Sequence, residues 1–291
     1  MISGVYVPLL TAFTSDGAVD PGGYARQAEW LAARGVDGLV PFGSTGEGPS
    51  LSLREKRALL AALVAAVPGV PVLPAVTDPS LDGALQLVEV VNDIAAAGIL
   101  LAPPFYFRPA GDEGLRRYFE TVLAASRHPV LLYHIPVFAP PVPPSLVEAL
   151  PVWGVKDSGG DLGYTRAVLA TGKQAMVGVE TTIVDAIGLG ARGTIAGLAN
   201  VLPEPLLAAC AAASAGRSAD AHRIMAPALK FGSELMAAGP PLAWVSVMKQ
   251  LAEDRHGIPL GGVRAPLPYA PAEALLPSLR TVLAQLDLAR P

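Results

Sequence analysis

Along the first two hundred residues, short runs of β-branched and aliphatic residues alternate with longer stretches in which apolar positions recur at helical spacing. The runs predict eight strands: Val5–Leu10, Gly38–Phe42, Val70–Ala75, Gly98–Ala102, Val130–His134, Trp153–Lys156, Ala175–Gly178 and Thr194–Ala196. Between them the pattern predicts helices over Asp20–Arg34, Ser52–Val67, Leu81–Ala97, Glu113–Arg127, Pro144–Leu150, Asp161–Thr171 and Thr182–Leu189. Asp20 before Pro21, and Ser52 with Glu55 three residues on, carry the capping chemistry of helix starts. Strands joined by crossover helices build a parallel sheet, and eight repeats favour a closed (β/α)8 barrel over an open doubly wound sheet. Residues 1–202 then hold the barrel strands. Residues 203–291 read as its last helix and a helical extension of the same unit, broken near Gly216, Gly239-Pro240-Pro241 and Gly257 to Pro268.

Composition narrows the partners. With 21 basic and 25 acidic residues the net charge is −4, so no cationic surface is expected for nucleic acid. The longest apolar region, Leu59 to Val76, is broken by Pro68, Gly69, Pro71 and Pro74, which disfavours a membrane span. The lone Cys210 excludes an internal disulfide, and the N-terminus lacks a basic secretory start. A soluble, cytoplasmic protein is the expectation.

Chemistry in a parallel barrel gathers where the strands end. Lys156 closes a strand after the apolar run Pro151 to Val155, a setting that strips water from an amine and favours its neutral, nucleophilic form. A lysine whose stem lies on apolar surface while its tip reaches water is the alternative. Tyr133 closes the neighbouring strand, and Gly43-Ser44-Thr45-Gly46-Glu47-Gly48 bunches hydroxyls and N–H groups on a glycine-rich turn suited to a small carboxylate. Nucleophile, proton carrier and anion anchor together are what a 2-oxo acid needs to form an imine and then an enamine. Pro103 to Pro109 forms an aromatic loop fit for a subunit contact or a pocket wall.

Two competing signals are weaker. Gly188-Leu189-Gly190-Ala191-Arg192-Gly193 matches a dinucleotide-binding G-x-G-x-x-G, yet a helix precedes it and a strand follows, the reverse of the required order. His128, His134, His222 and His256 lack metal-ligand spacing, so no metal and no cofactor is expected; His134 should face away from Tyr133 by strand alternation.

Gly43-Ser44-Thr45-Gly46-Glu47, Tyr133-His134-Ile135-Pro136 and Gly154-Val155-Lys156-Asp157-Ser158 resemble, in order and spacing, the motifs of the dihydrodipicolinate synthase / N-acetylneuraminate lyase family of pyruvate-dependent Schiff-base aldolases. The resemblance implies Lys156 as the imine-forming nucleophile and Tyr133 as proton shuttle. It implies Ser44 and Thr45, on the turn opened by Gly43, as binders of the pyruvate carboxylate. It further implies Tyr106 reaching across a subunit contact, the Ile195 carbonyl facing substrate, and a homotetramer or homodimer. At the position where the lysine-biosynthetic synthase carries an arginine for aspartate semialdehyde, this chain has Phe138, which cannot supply a guanidinium fork. That departure favours a lyase acting on a 4-hydroxy-2-oxo acid or a 2-oxo-3-deoxy sugar acid, with pyruvate and an aldehyde or 2-oxo acid as partners. The synthase remains the alternative, with Arg108 as a possible substitute for the missing arginine, and a non-catalytic 2-oxo-acid-binding protein is the alternative of another class. Glu180 stands where sialic-acid lyases carry acidic residues; it either contacts a second substrate or caps the next helix.

Overall fold

The computed structural model describes residues 2–108 and 111–288; Pro109 of the aromatic loop and the last three residues of the chain lie outside the described residues. Eight parallel strands form a (β/α)8 TIM barrel: β1 Gly4–Pro8, β2 Gly38–Val40, β3 Ala75–Val76, β4 Ile99–Leu101, β5 Val130–His134, β6 Gly154–Asp157, β7 Gln174–Val177 and β8 Gly193–Ile195. The sheet runs β2-β1-β8-β7-β6-β5-β4-β3, and a parallel bridge from Leu39 to Val72 closes the circle.

Alternation sorts the strand residues into two apolar layers. Tyr6, Val40, Leu73, Leu100, Leu131, Tyr133, Met176 and Ile195 fill the interior, while Val5, Val7, Leu39, Ile99, Leu101, Leu132, Val155 and Val177 pack outward under the helices. Both faces are buried, which is why the strands read as continuous hydrophobic runs. Tyr6 needs Gly38 opposite it, because any Cβ at Gly38 would lie inside the tyrosine ring.

Seven helices fill the connections: α1 Pro21–Ala32, α2 Leu53–Ala66, α3 Leu81–Asn92, α4 Gly111–Ala125, α5 Pro144–Ala149, α6 Leu162–Ala170 and α7 Ile183–Gly188. The Ser52–Glu55 capping box forms in full, whereas Asp20 makes no side-chain cap and leaves Pro21 to open α1. Four more helices follow: α8 Pro203–Ser214, α9 Ser218–Met236, α10 Trp244–His256 and α11 Leu276–Leu288. Among the described residues no helix is long and apolar enough to cross a membrane.

Most elements fall within about two residues of the pattern-based bounds, and two depart further. The third strand is regular only at Ala75–Val76, because Pro71 and Pro74 have no N–H for the ladder. The pairing starts earlier all the same, through Leu73 N–H to Leu39 O at 2.8 Å and Ala97 N–H to Val72 O at 2.8 Å. Helix α3 stops at Asn92 rather than Ala97. The Asn92 side chain donates to Ala125 O and accepts from Arg127 N–H, and the alanines beyond it lead into the β4 ladder.

Candidate active site

Strand register places Tyr133 directly beside Lys156 on β5 and β6, both side chains entering the barrel from its C-terminal end. The Lys156 Nζ donates to the Tyr133 hydroxyl at 3.1 Å and lies 4.3 Å from the centre of its ring. Lys156 is 5% exposed and Tyr133 3%, so the amine is buried rather than extended into solvent. A Cβ built at Gly178 would collide with the Ser158 hydroxyl and lie 3.0 Å from Lys156 Cε and 3.3 Å from the Ile195 carbonyl oxygen. Lysine, serine and carbonyl thus converge on one small space that only a glycine leaves open.

The turn after β2 is built for display. Phe42 and Glu47 both sit in the left-handed region at φ 67° and 55°, and Gly46 and Gly48 pass so close to Leu9 O and Phe42 O that no side chain fits. The N–H groups of Gly46, Glu47 and Gly48 are consumed inside the turn by Gly43 O and Ser44 O. Those of Ser44 and Thr45 donate to no protein acceptor among the described residues, and neither hydroxyl is engaged. Gly43, Ser44 and Thr45 therefore present unspent donors at the barrel mouth.

Glu47, inside the same motif, has a different task. Its carboxylate pairs with Lys249 of α10 at 2.7 Å, with side chains 0% and 1% exposed, and accepts the Arg264 N–H at 2.8 Å. Lys249 also donates to Gly262 O at 2.6 Å and lies over the Phe13 ring. Desolvation lowers the Lys249 pKa, and the Glu47 charge opposes that shift. Arg264 in turn grips Glu55, whose carboxyl it holds down at about 2. The C-terminal extension is thereby pinned to the turn that runs from Gly43 to Gly48. Sequence reasoning saw the Glu47 motif but not Lys249 or Arg264, because both partners lie more than two hundred residues away.

The remaining candidates divide. The half-buried Glu180 accepts the Leu198 N–H at 3.2 Å, tying the β7 and β8 loops together; burial raises its pKa, while backbone N–H groups and the Lys156 charge oppose the rise. Tyr106 is 77% exposed, edge-on to Phe107, with no hydrogen bond to Tyr133 or Lys156 within this chain. Arg108 is committed to Pro136 O at 3.2 Å and Ala139 O at 2.7 Å, stapling the β4 loop to the β5 loop. His134 faces outward, stacked on Tyr164 at 3.8 Å and accepting the Val142 N–H, with desolvation lowering its pKa. Gly188 ends α7 and Gly193 opens β8, so the glycine pattern between them is an αβ turn. No group of three or more His, Cys, Asp or Glu side chains gathers as a metal site among the described residues.

Beside Tyr133 opens a cavity of about 250 Å³ lined by Ser44, Glu47, Thr77, Phe105, Ile135 and Phe138, and across from them by Leu242, Trp244, Val245, Pro266 and Leu267. The last five come from the C-terminal extension, where sequence reading assigned no site residue. Trp244, three residues after Gly239-Pro240-Pro241, was the available signal, a large aromatic close to a forced turn.

Comparison with known proteins agrees with the architecture. The model of the dihydrodipicolinate synthetase family matches residues 1–282. The 4-hydroxy-tetrahydrodipicolinate synthase 1 of Streptomyces coelicolor is 36% identical over 91% of this chain and 88% of that relative. A variant of the Sulfolobus solfataricus 2-keto-3-deoxygluconate aldolase superposes with a TM-score of 0.88 at 25% identity, covering 98% of both chains. The Ruminococcus gnavus sialic acid aldolase superposes with a TM-score of 0.92 over 98% of both chains, at 20% identity a likeness of fold alone. With its model matched from end to end of the barrel and into the extension, the chain belongs to the dihydrodipicolinate synthetase family, whose members are lyases and aldolases of the class I, lysine Schiff-base type.

Proposed function

We propose that the protein reversibly makes or cleaves a carbon–carbon bond in a 2-oxo acid, with pyruvate as donor or product, through an imine on Lys156. The buried Lys156 amine hydrogen-bonded to the Tyr133 phenol carries this reading. The amine adds to the pyruvate ketone and water leaves, giving an iminium. Its positive nitrogen draws the C3–H bonding electrons inward, and Tyr133 is placed to move the protons as the enamine forms. The free N–H groups and hydroxyls of Ser44 and Thr45, on the turn opened by Gly43, hold the carboxylate. The Ile195 carbonyl, on the far side of the Gly178 gap, borders the same space.

Tyr106 fits this scheme only from a second copy of the chain, whose exposed Tyr106-Phe107 pair would reach into the neighbour's mouth. We therefore read the working form as a homodimer or homotetramer, in the cytoplasm. The Streptomyces relative supports a second reading, 4-hydroxy-tetrahydrodipicolinate synthesis from pyruvate and aspartate semialdehyde. Against it stands Phe138 at the synthase's arginine position, with Arg108 bonded to backbone carbonyls. Pyruvate consumption with aspartate semialdehyde, alongside aldehydes lacking a carboxylate, separates the two. Turnover that vanishes in Lys156→Ala supports the lysine mechanism, and turnover that survives it removes the proposal.

A further inference from the structure

The cavity beside Tyr133 is more apolar than the chemistry at Lys156 requires. Eleven of its sixteen lining residues are apolar, the largest of them Phe105, Phe138 and Trp244. Glu47 is the one charged residue that lines it among the described residues, and that carboxylate is already spent on Lys249 and the Arg264 N–H. Thr77 donates its hydroxyl to Phe42 O at 3.0 Å. The polar side-chain groups that remain are the Ser44 and Ser50 hydroxyls, the Trp244 indole N–H and the Tyr133 phenol.

A polyol chain entering this space would give up its hydrogen bonds to water and find few replacements. A carboxylate would arrive without a cation, since Arg108 is not among the lining residues and donates to two backbone carbonyls. An apolar group, by contrast, exchanges water for ring and aliphatic surface. Apolar cavities of roughly 150 Å³ accept benzene. The 250 Å³ here is room for a phenyl or branched alkyl group with its carbonyl turned toward the lining Tyr133, whose hydroxyl accepts from Lys156 at 3.1 Å.

We infer that the aldehyde partnered with pyruvate carries an aryl or branched alkyl group, and that this cavity holds it. The inference rests on the lysine mechanism proposed above and deepens it by naming the substrate class. In the forming direction, C3 of the enamine bonds to the aldehyde carbon and the former carbonyl oxygen takes a proton. Water then hydrolyses the iminium, freeing Lys156 and a 4-hydroxy-2-oxo acid with an apolar substituent on C4; cleavage runs the same steps backward.

The test compares kcat/KM for pyruvate consumption with benzaldehyde, 2-methylpropanal, D-glyceraldehyde and succinic semialdehyde. At least one apolar aldehyde should exceed both polar ones by roughly tenfold or more. Phe138→Gln and Trp244→Gln should each narrow that preference by about tenfold, a ratio in which loss of folded enzyme cancels. Equal or better turnover of glyceraldehyde or succinic semialdehyde overturns the inference, as does an unchanged preference in both variants. Borohydride trapping of pyruvate in the same preparations separates the failures. Trapping on Lys156 without an apolar preference, or without turnover of any aldehyde, overturns the cavity assignment alone, and no trapping removes the lysine mechanism with it.

Discussion

Replacing Lys249 by methionine should cost the fold about 4 kcal/mol, because it leaves the Glu47 carboxylate buried without its cation. The pair is 2.7 Å apart with both side chains essentially inaccessible, so water cannot substitute for the lost partner. Removing one member of such a pair costs about 3–5 kcal/mol, and the contact of the ammonium with Phe13 adds a share of up to about 2 kcal/mol. Methionine keeps the unbranched stem, so little of the effect comes from a cavity. For a chain of 291 residues about 4 kcal/mol lowers Tm by roughly 7 °C, readable by circular dichroism. The damage should also reach function, since Glu47 closes the strained turn that displays Ser44 and Thr45, and KM for pyruvate should rise. Adding Glu47→Gln should recover part of the stability by removing the stranded charge. A Tm shift under about 2 °C, or a double variant whose loss equals the sum of the two single losses, would refute the assignment.

Three further expectations follow from single contacts. Tyr133→Phe keeps the packing but removes the hydroxyl 3.1 Å from Lys156, so kcat should fall by about 10²–10⁴ while the melting curve barely moves; unchanged kcat would exclude a proton role. Phe138→Arg should raise kcat/KM for an aldehyde bearing a carboxylate, and an identical substrate profile would show that the position does not govern selectivity. Burial holds the His256 pKa down at about 4, against 6.5 when free. Between those values the unfolded chain binds a proton that the folded one excludes, so stability falls with pH from 6.5 toward 4, by up to about 3 kcal/mol. Denaturant titrations of the protein and of His256→Gln across that window should show a steeper slope with histidine present, the remainder coming from groups such as His134 and Glu55 that are shifted the same way.

How much of this was legible in the sequence differs by element. Strand alternation alone puts Tyr133 and Lys156 on the inner face and His134 on the outer, and the register bears out that geometry. The third strand was misplaced because its β-branched run is interrupted by two prolines whose missing N–H groups matter to the ladder and not to the hydropathy pattern. The end of α3 was overrun because Ala95 to Ala97 favour a helix locally, whereas the Asn92 side chain and strand pairing decide it. The cavity wall from Leu242 to Leu267 was not legible at all. Those residues reach the mouth only through the path of the C-terminal helices, anchored by Lys249 and Arg264, and no local pattern encodes an ion pair across two hundred residues.

The central claim is that the Lys156 nitrogen becomes covalently bound to pyruvate during turnover, and borohydride reduction with peptide mapping reads it directly. Reduction in the presence of pyruvate should add one reduced pyruvyl group to the peptide containing Lys156, inactivate the enzyme in step with labelling, and leave Lys249 and Lys173 unmodified. Full activity after reduction, or a label on any lysine other than Lys156, would contradict the account.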